Sequence, residues 1–402
     1  LKGLAVTMSL ENQLKSLLSQ INDFKATADN SLPQNTFYLN EKEILCCERE
    51  YGVSRFPYDA SGLVVWAKSN GHIDAYESTF TIFKELDFTE DSTVSFVGGV
   101  KNSDGGFFPV ALFDCNRQLF EPIKINRYVV YSFRYVYYIA DTPDVAFAVR
   151  LHVSDDKHIH FAYTALNKTD KPQNIYMMSC FDAWLFYRNV GGVYDIMNRF
   201  GKVYENKNFL LRSYEDCMVV ARSSFDEVAD KEYITANKSD VLGPAGRLIN
   251  NSPALKKGEL LGEHTASNSI DVPVSADCAQ YTLSPGGSVR REYELSYFHT
   301  LKEAEAVLDT KPNIEKIDTA LDADEALAIS KFETMKVRFA DFKGGINPNV
   351  LNKFVRNIQK QISFCALGKN YFGPMMGMRD VMQQLESSLI WQPNESRAQY
   401  IN

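Results

Sequence analysis

The stretch Val145–Val153, VAFAVRLHV, decides the class of fold. Val145, Phe147, Val149, Leu151 and Val153 alternate strictly with Ala146, Ala148, Arg150 and His152. A period of two puts the first set on one face of an extended strand and the second set on the other. The pattern recurs on both sides of this stretch. Tyr128–Ile139 is a dense run of β-branched and aromatic residues, and Tyr293, Leu295 and Tyr297 alternate with Glu292, Glu294 and Ser296. Turn signals punctuate the runs: Asn70-Gly71, Ser103-Asp104-Gly105-Gly106, Gly191-Gly192 and Pro285-Gly286-Gly287. Many strands, recurrent turns and few helical stretches over residues 37–300 predict a large antiparallel β-sandwich. An aromatic content of 12%, with 21 Tyr and 26 Phe, suits such a β-rich chain.

Helical periodicity flanks this region. Leu10, Leu14, Leu17, Leu18, Ile21 and Phe24 form one stripe in Met8–Phe24, with Ser9 as its N-cap. The polar face is not basic, which favours packing on the sandwich over a membrane surface. Residues 1–36 therefore read as an amphipathic helix and a polar loop. Residues 301–346 turn helical and charged, with Ile314, Ile317, Leu321, Ala328, Phe332, Met335 and Phe339 on one stripe. They read as a linker. Asn347–Cys365 predicts another helix, with Pro348 in its first turn and Leu351, Phe354, Ile358, Ile362 and Cys365 on its buried face. Two loops stand out inside the sandwich region: Tyr51–Asp59, YGVSRFPYD, and the irregular Asp240–Asn268. Such a long aperiodic segment is usually functional or disordered, although an ordinary connection is the favoured reading of both loops.

A chain of 402 residues can hold more than one domain and bury large cores. A net charge of −8 argues against general nucleic-acid or anionic-membrane binding. The seven cysteines show no CxxC spacing, and Cys46–Cys47 would face opposite ways on a strand. Their number and spacing read as reduced thiols of a cytoplasmic protein. Neither a signal peptide nor a long apolar run is recognisable.

Chemistry concentrates near the C-terminal end, in Gly368–Trp391, GKNYFGPMMGMRDVMQQLESSLIW. A glycine and proline loop gives way to a helical pattern. Met378, Met382, Leu385 and Leu389 share an apolar face; Arg379, Gln383 and Glu386 share a second; Asp380, Gln384 and Ser387 share a third. An Arg–Asp pair with amides beside it, at the start of a helix, can serve several sugar hydroxyls, each of which both donates and accepts.

The segment GMRDVMQQLE resembles the "G-aromatic-RD-x-x-Q-D" segment of the family 94 glycoside phosphorylases, and is most similar to the 1,2-β-oligoglucan branch. Arg379 and Asp380 match the pair and Gln383 the glutamine. Met378 stands at the aromatic position, Gln384 at that of the aspartate, and Pro374 replaces an arginine. The resemblance implies an N-terminal super-β-sandwich, linker helices and then an (α/α)6 catalytic barrel, here starting at residue 347. Tyr281–Phe298 would be the last sandwich strands, joined by the "L-x-P-G" turn. Arg379, Asp380, Gln383 and Gln384 would bind the donor sugar of a β-linked gluco-oligosaccharide. Inorganic phosphate would be co-substrate, with no other cofactor and no metal. The products would be α-glucose 1-phosphate and a shortened chain, and the family's homodimer would be the assembly. The general-acid aspartate and the phosphate ligands of the family lie further downstream, so no catalytic residue is expected in this segment. A barrel of about twelve helices cannot close with two, so the chain reads as the N-terminal part of a longer enzyme. Families 149 and 161, acting on 1,3-linked glucans, are close rivals. An inverting hydrolase on the same scaffold and a non-catalytic carbohydrate-binding sandwich are the alternatives.

Other motifs are absent. There is no GxSxG, Walker A or GxGxxG spacing. His158 and His160 form an HxH pair that would share one face of a strand. With no Cys or carboxylate partner placed by the sequence, exposed strand histidines are the favoured reading over a metal site.

Overall fold

The computed structural model describes residues 10–24, 31–32, 36–39, 44–48, 54–55, 63–69, 71, 73–77, 80–83, 94–112, 123–132, 134–154, 158–182, 186–187, 199–213, 217–225, 229–243, 252–268, 272–319, 321, 338–339, 347–361, 382–383, 385–386, 388–389 and 393–401. Its strands are antiparallel and form three sheets. The largest has twelve strands among the described residues. From edge to edge they are Ser31–Leu32, Thr36–Leu39, Ile44–Glu48, Asn126–Tyr131, Tyr135–Asp141, Val145–Val153, His158–Asn167, Ser288–Phe298, Cys217–Phe225, Phe209–Ser213, Arg199–Val203 and Ala266–Asn268. A second sheet runs Lys231–Asn237, Pro273–Leu283, Gln173–Phe181, Val94–Lys101 and Phe107–Ala111. The third runs Phe186–Tyr187, Phe80–Phe83, Ile73–Glu77, Val64–Lys68 and Ser54–Arg55.

The odd-numbered side chains of Val145–Val153 enter the main core, as the alternation predicts. There they meet Phe96, Ile175, Met177 and Tyr281 of the second sheet and Val65, Ala67 and Ala75 of the third. An aromatic knot holds the centre: the Phe96 ring lies 5.4 Å from Phe161, 5.2 Å from Tyr163 and 5.6 Å from Phe181, centroid to centroid. Gly98 permits the close approach of the two sheets, because a Cβ there would stand 2.5 Å from the Phe147 ring.

The even-numbered face is covered as well. Every residue of Val145–Val153 is buried, including Arg150 and His152. A helix, α1 (Leu10–Phe24), lies across part of that face. Its buried Leu10, Leu14, Leu17 and Ile21 pack on Phe37, Leu39, Tyr128, Ile139, Ala146, Ala148 and Leu166. Small residues at 146 and 148 leave the room that the helix needs. Four buried side chains of this size contribute roughly 1.5–3 kcal/mol each.

Two chain crossings between sheets share one staple. The turns at Lys168–Pro172 and Ser284–Gly287 each carry the chain between the large sheet and the second sheet. The "L-x-P-G" turn thus joins strands of different sheets, and Gly286 takes its left-handed corner with φ 66°. Asn167, buried beneath both turns, donates through Nδ2 to the carbonyls of Lys171 (2.7 Å) and Ser284 (2.9 Å).

The segment Asp240–Asn268 is ordered where it is described. Two short helices, α2 (Lys238–Leu242) and α3 (Pro253–Lys257), cover the outer face of the second sheet. Asn237 and Ser252 cap them through side chains that accept from Ser239 N–H and Ala254 N–H. Capping side chains do not contribute to apolar periodicity, which is why the stretch reads as irregular in sequence. Of Tyr51–Asp59, only the strand Ser54–Arg55 is described.

After the sandwich come α4 (Leu301–Leu308) and α5 (Pro348–Gln361). Thr300 and Glu303 form a reciprocal capping box at the start of α4. Helix α5 starts at Pro348 as expected, and Val350 is buried in the main core. Its predicted buried face is not closed: Phe354 and Ile358 are 36% and 39% exposed. They are only partly covered, whereas the apolar spacing alone implies a closed face. Ile362, Cys365, Ala328, Phe332 and Met335 lie outside the described residues.

Candidate functional site

Of the predicted sugar ligands, Arg379, Asp380 and Gln384 lie outside the described residues. Gln383 is described and exposed, as is Glu386 on the same face. The opposite side is anchored. Leu385 is fully buried, and Ser388 donates to the Leu385 carbonyl and bonds the Ser396 hydroxyl of the last helix, α6 (Pro393–Ile401). Leu389, expected on the apolar face, is 42% exposed.

The described residues bring together a different constellation, on the covered face of the large sheet. Register builds it. His152 pairs with His160, and His160 with Glu294; Arg150 pairs with Ala162, and Ala162 with Glu292; Thr164 pairs with Arg290. Since cross-strand partners share a face, three neighbouring strands carry one continuous polar band. Each strand shows only its own few polar residues in sequence, and the pairing that merges them is long-range.

At one end of the band the His152 and His160 rings stack 4.6 Å apart, 11° from parallel. Glu294 approaches both members of the HxH pair: its carboxylate is 3.8 Å from His158 Nδ1 and 3.7 Å from His160 Nδ1. The Ser154 hydroxyl lies 3.2 Å from His160 Nε2. This corrects the reading of exposed strand histidines. His160 is 3% exposed and does have a carboxylate partner, which the neighbouring strand supplies. Burial, followed by the charges of His160, Arg150 and Arg134, holds His152 well below the usual imidazole range. Among the described residues, no group of three or more His, Cys, Asp or Glu side chains is arranged to hold a metal ion.

At the other end, Arg290 grips Asp318 of the linker through Nη1 (2.7 Å) and Nη2 (3.0 Å), and Arg150 bonds the same carboxylate. Arg290 Nε also donates to Glu292 at 3.1 Å. Helix α1 joins through Gln13, whose side-chain oxygen accepts from Tyr137 O–H (2.8 Å). Burial raises the Glu292 carboxyl above the usual range, against the pull of Arg290 and Arg150. Burial also tends to raise Asp318, but the hydrogen bonds from Arg290 and the Arg150 charge outweigh it and lower it. Tyr137, fully buried, is pushed up to about 12. This band ties α1, sheet and linker together, and it stores charge away from water.

No protein-family profile matches the chain, and no curated protein does either. Among solved structures, a protein provisionally assigned as a kojibiose phosphorylase, from the human microbiome, superposes with a TM-score of 0.43 at 6% identity. That match covers 81% of this chain and 42% of the other. A family GH92 alpha-mannosidase from Bacteroides thetaiotaomicron gives a TM-score of 0.37 at 9% identity, over 79% of this chain and 39% of that one. A GalM/aldose epimerase homologue from C. elegans gives 0.33 at 10% identity, over 62% and 99%. These distant neighbours are carbohydrate-processing proteins by name. At these scores the likeness carries no inference about activity. The chain spans less than half the length of the phosphorylase and of the mannosidase.

Proposed function

We propose that this chain is the N-terminal part of an inverting β-glucan phosphorylase similar to family 94. The observation that carries the reading is the sequence Gly377–Gln384, GMRDVMQQ, in a chain that also holds large antiparallel sheets. Arg379 and Asp380 bind hydroxyls of the donor glucose, with Gln383 and Gln384 in support. Gln383 and Glu386 are exposed. Inorganic phosphate attacks the anomeric carbon of a β-linked gluco-oligosaccharide, with 1,2-linkage favoured. Phosphate is already an anion and needs no general base, so a single carboxylic acid that protonates the leaving oxygen suffices. That acid and the phosphate ligands lie downstream of this segment. The products are α-glucose 1-phosphate and a chain one sugar shorter, and the enzyme works as a cytoplasmic homodimer.

The test uses the full-length protein with 1,2- and 1,3-linked β-gluco-oligosaccharides, with and without phosphate. Phosphate-dependent release of glucose 1-phosphate is expected, and Arg379→Ala or Asp380→Ala should cut kcat/KM by about 100-fold or more. Release of free sugar without phosphate would make the protein a hydrolase. Saccharide binding that survives both substitutions, with no turnover, would make it a non-catalytic sandwich protein.

A further inference from the structure

Among the described residues, the linker that follows the sandwich makes polar contact with it at two points of opposite character, and Pro312 and Leu321 are buried beside them. The first point is neutral and deeply buried. The turn Tyr204–Asn208, with Lys207 at φ 68°, aims two carboxamides at the end of α4. Asn206 Nδ2 donates to the Leu308 carbonyl, and Asn208 Nδ2 donates to the carbonyls of Leu308 (2.6 Å) and Thr310 (2.8 Å). Asn208 has no exposed surface, and Ala304 and Leu308 pack on Leu210 beside it. The second point is ionic and close to water. It is the Asp318 carboxylate between Arg150 and Arg290, with 12% of the Asp318 side chain exposed. Between the two points Lys311, Asn313, Glu315 and Lys316 are exposed.

The ionic point contains a second anion, bonded to Arg290 through its other oxygen. Glu292 is completely buried beside the same guanidinium, and its Oε1 has no hydrogen-bond partner. Two carboxylates thus share Arg290. We propose that residues 301–321 form a strap, fixed at its Asn206/Asn208 end and releasable at its Asp318 end. Glu292 balances Arg150 and Arg290 when Asp318 leaves, so closure of the strap and ionisation of Glu292 oppose each other.

Among the described residues, Arg290 and Glu294 lie on the strand of Glu292, Arg150 lies two strands away and Tyr137 three, and Arg222 of the adjoining strand stands in register with Glu294. His160 adjoins Glu294. Asp318 comes from the strap, and Glu11, with its partner Lys15, from α1. The sign follows from reciprocity. A closed strap places a second negative charge near Glu292 and favours its protonated form, so protonation of Glu292 favours the closed strap. Closure is therefore tightest on the acid side of the Glu292 titration and loosens as pH rises through it. Far into acid, protonation of Asp318 itself ends the grip.

Hydrogen exchange on the full chain tests this, as protection factors at residues 311–319 followed from pH 4.5, the ordinary carboxyl value, upward through the Glu292 titration. Wild-type protection should fall as pH rises. Asp318→Asn should lower it about tenfold at all pH values while Val145–Val153 stays protected. Glu292→Gln should raise it and abolish the pH dependence. Unchanged protection in Asp318→Asn would overturn the proposal. So would a loss in Glu292→Gln, because Glu292 would then be an anchor and no competitor. Should Asp318→Asn unfold the sheet, the Glu292→Gln result decides by itself.

Discussion

Arg291 shows what a single side chain can demand of its surroundings. It has no exposed surface, and it sits on the inner face of the strand whose outer face carries Arg290. Its guanidinium reaches Asp277 and Glu232 and donates to Tyr281 O–H (2.6 Å) and Tyr293 O–H (3.0 Å). Asp277 is saturated in turn by Tyr293 and Ser179. Removing Asp277 leaves the buried Arg291 charge with only the part-buried Glu232 as its carboxylate partner, and breaking a buried pair costs about 3–5 kcal/mol. Asp277→Ala should therefore lower the unfolding free energy measured in urea by about 3–5 kcal/mol. A change below 1 kcal/mol, on the order of a surface pair, would show the network to be dispensable. His152 makes the second prediction at this scale. Its folded form is held neutral well below 6.5, so the unfolded chain takes up the proton first as pH falls. The contribution of His152 is fully present above the unfolded pKa and is lost on acidification below it. His152→Leu should flatten the fall in denaturation midpoint between about pH 7 and pH 5. An unchanged slope would place the acid sensitivity elsewhere.

At the scale of elements, α1 is the plainest case. Its apolar stripe, legible in the spacing of Leu10, Leu14, Leu17 and Ile21, is the stripe that is buried. Leu14 is fully buried, and Leu14→Ala should destabilise the chain by about 2–5 kcal/mol in chemical denaturation. A smaller loss would mean that the helix settles into the gap. Strands were readable for the same reason: period-two patterning records which residues face a core. The pattern does not record whether the other face is covered. Arg150 and His152 look like solvated positions on VAFAVRLHV, yet a helix and a linker lie over that sheet face. The reverse holds for α5, where Phe354 and Ile358 keep the spacing of a buried face and remain open. Asp240–Asn268 hid its two helices because five-residue helices are too short to show a period and are set by their caps.

At the scale of the molecule, the large sheet is a wall covered on both sides. Its central strands, Val145–Val153 and His158–Asn167, are buried along almost their whole length, while the Ala266–Asn268 strand forms one edge. Native-state hydrogen exchange should find the slowest amides in those two strands, exchanging only on global unfolding. Faster exchange there than at the edge strand would contradict this layering. The amino-acid sequence alone determined that antiparallel strands dominate the described residues between α1 and α4, and that a helix precedes them. These are local properties, written in spacing and in turn chemistry. Only the tertiary structure decided that His152, His160 and Glu294 adjoin, that Arg150 and Arg290 hold Asp318, and that turns such as Ser284–Gly287 carry the chain from one sheet to another. Those facts depend on register between strands far apart in the chain. Pairing at that distance is selected by the packing of the whole core, which no short window of sequence contains.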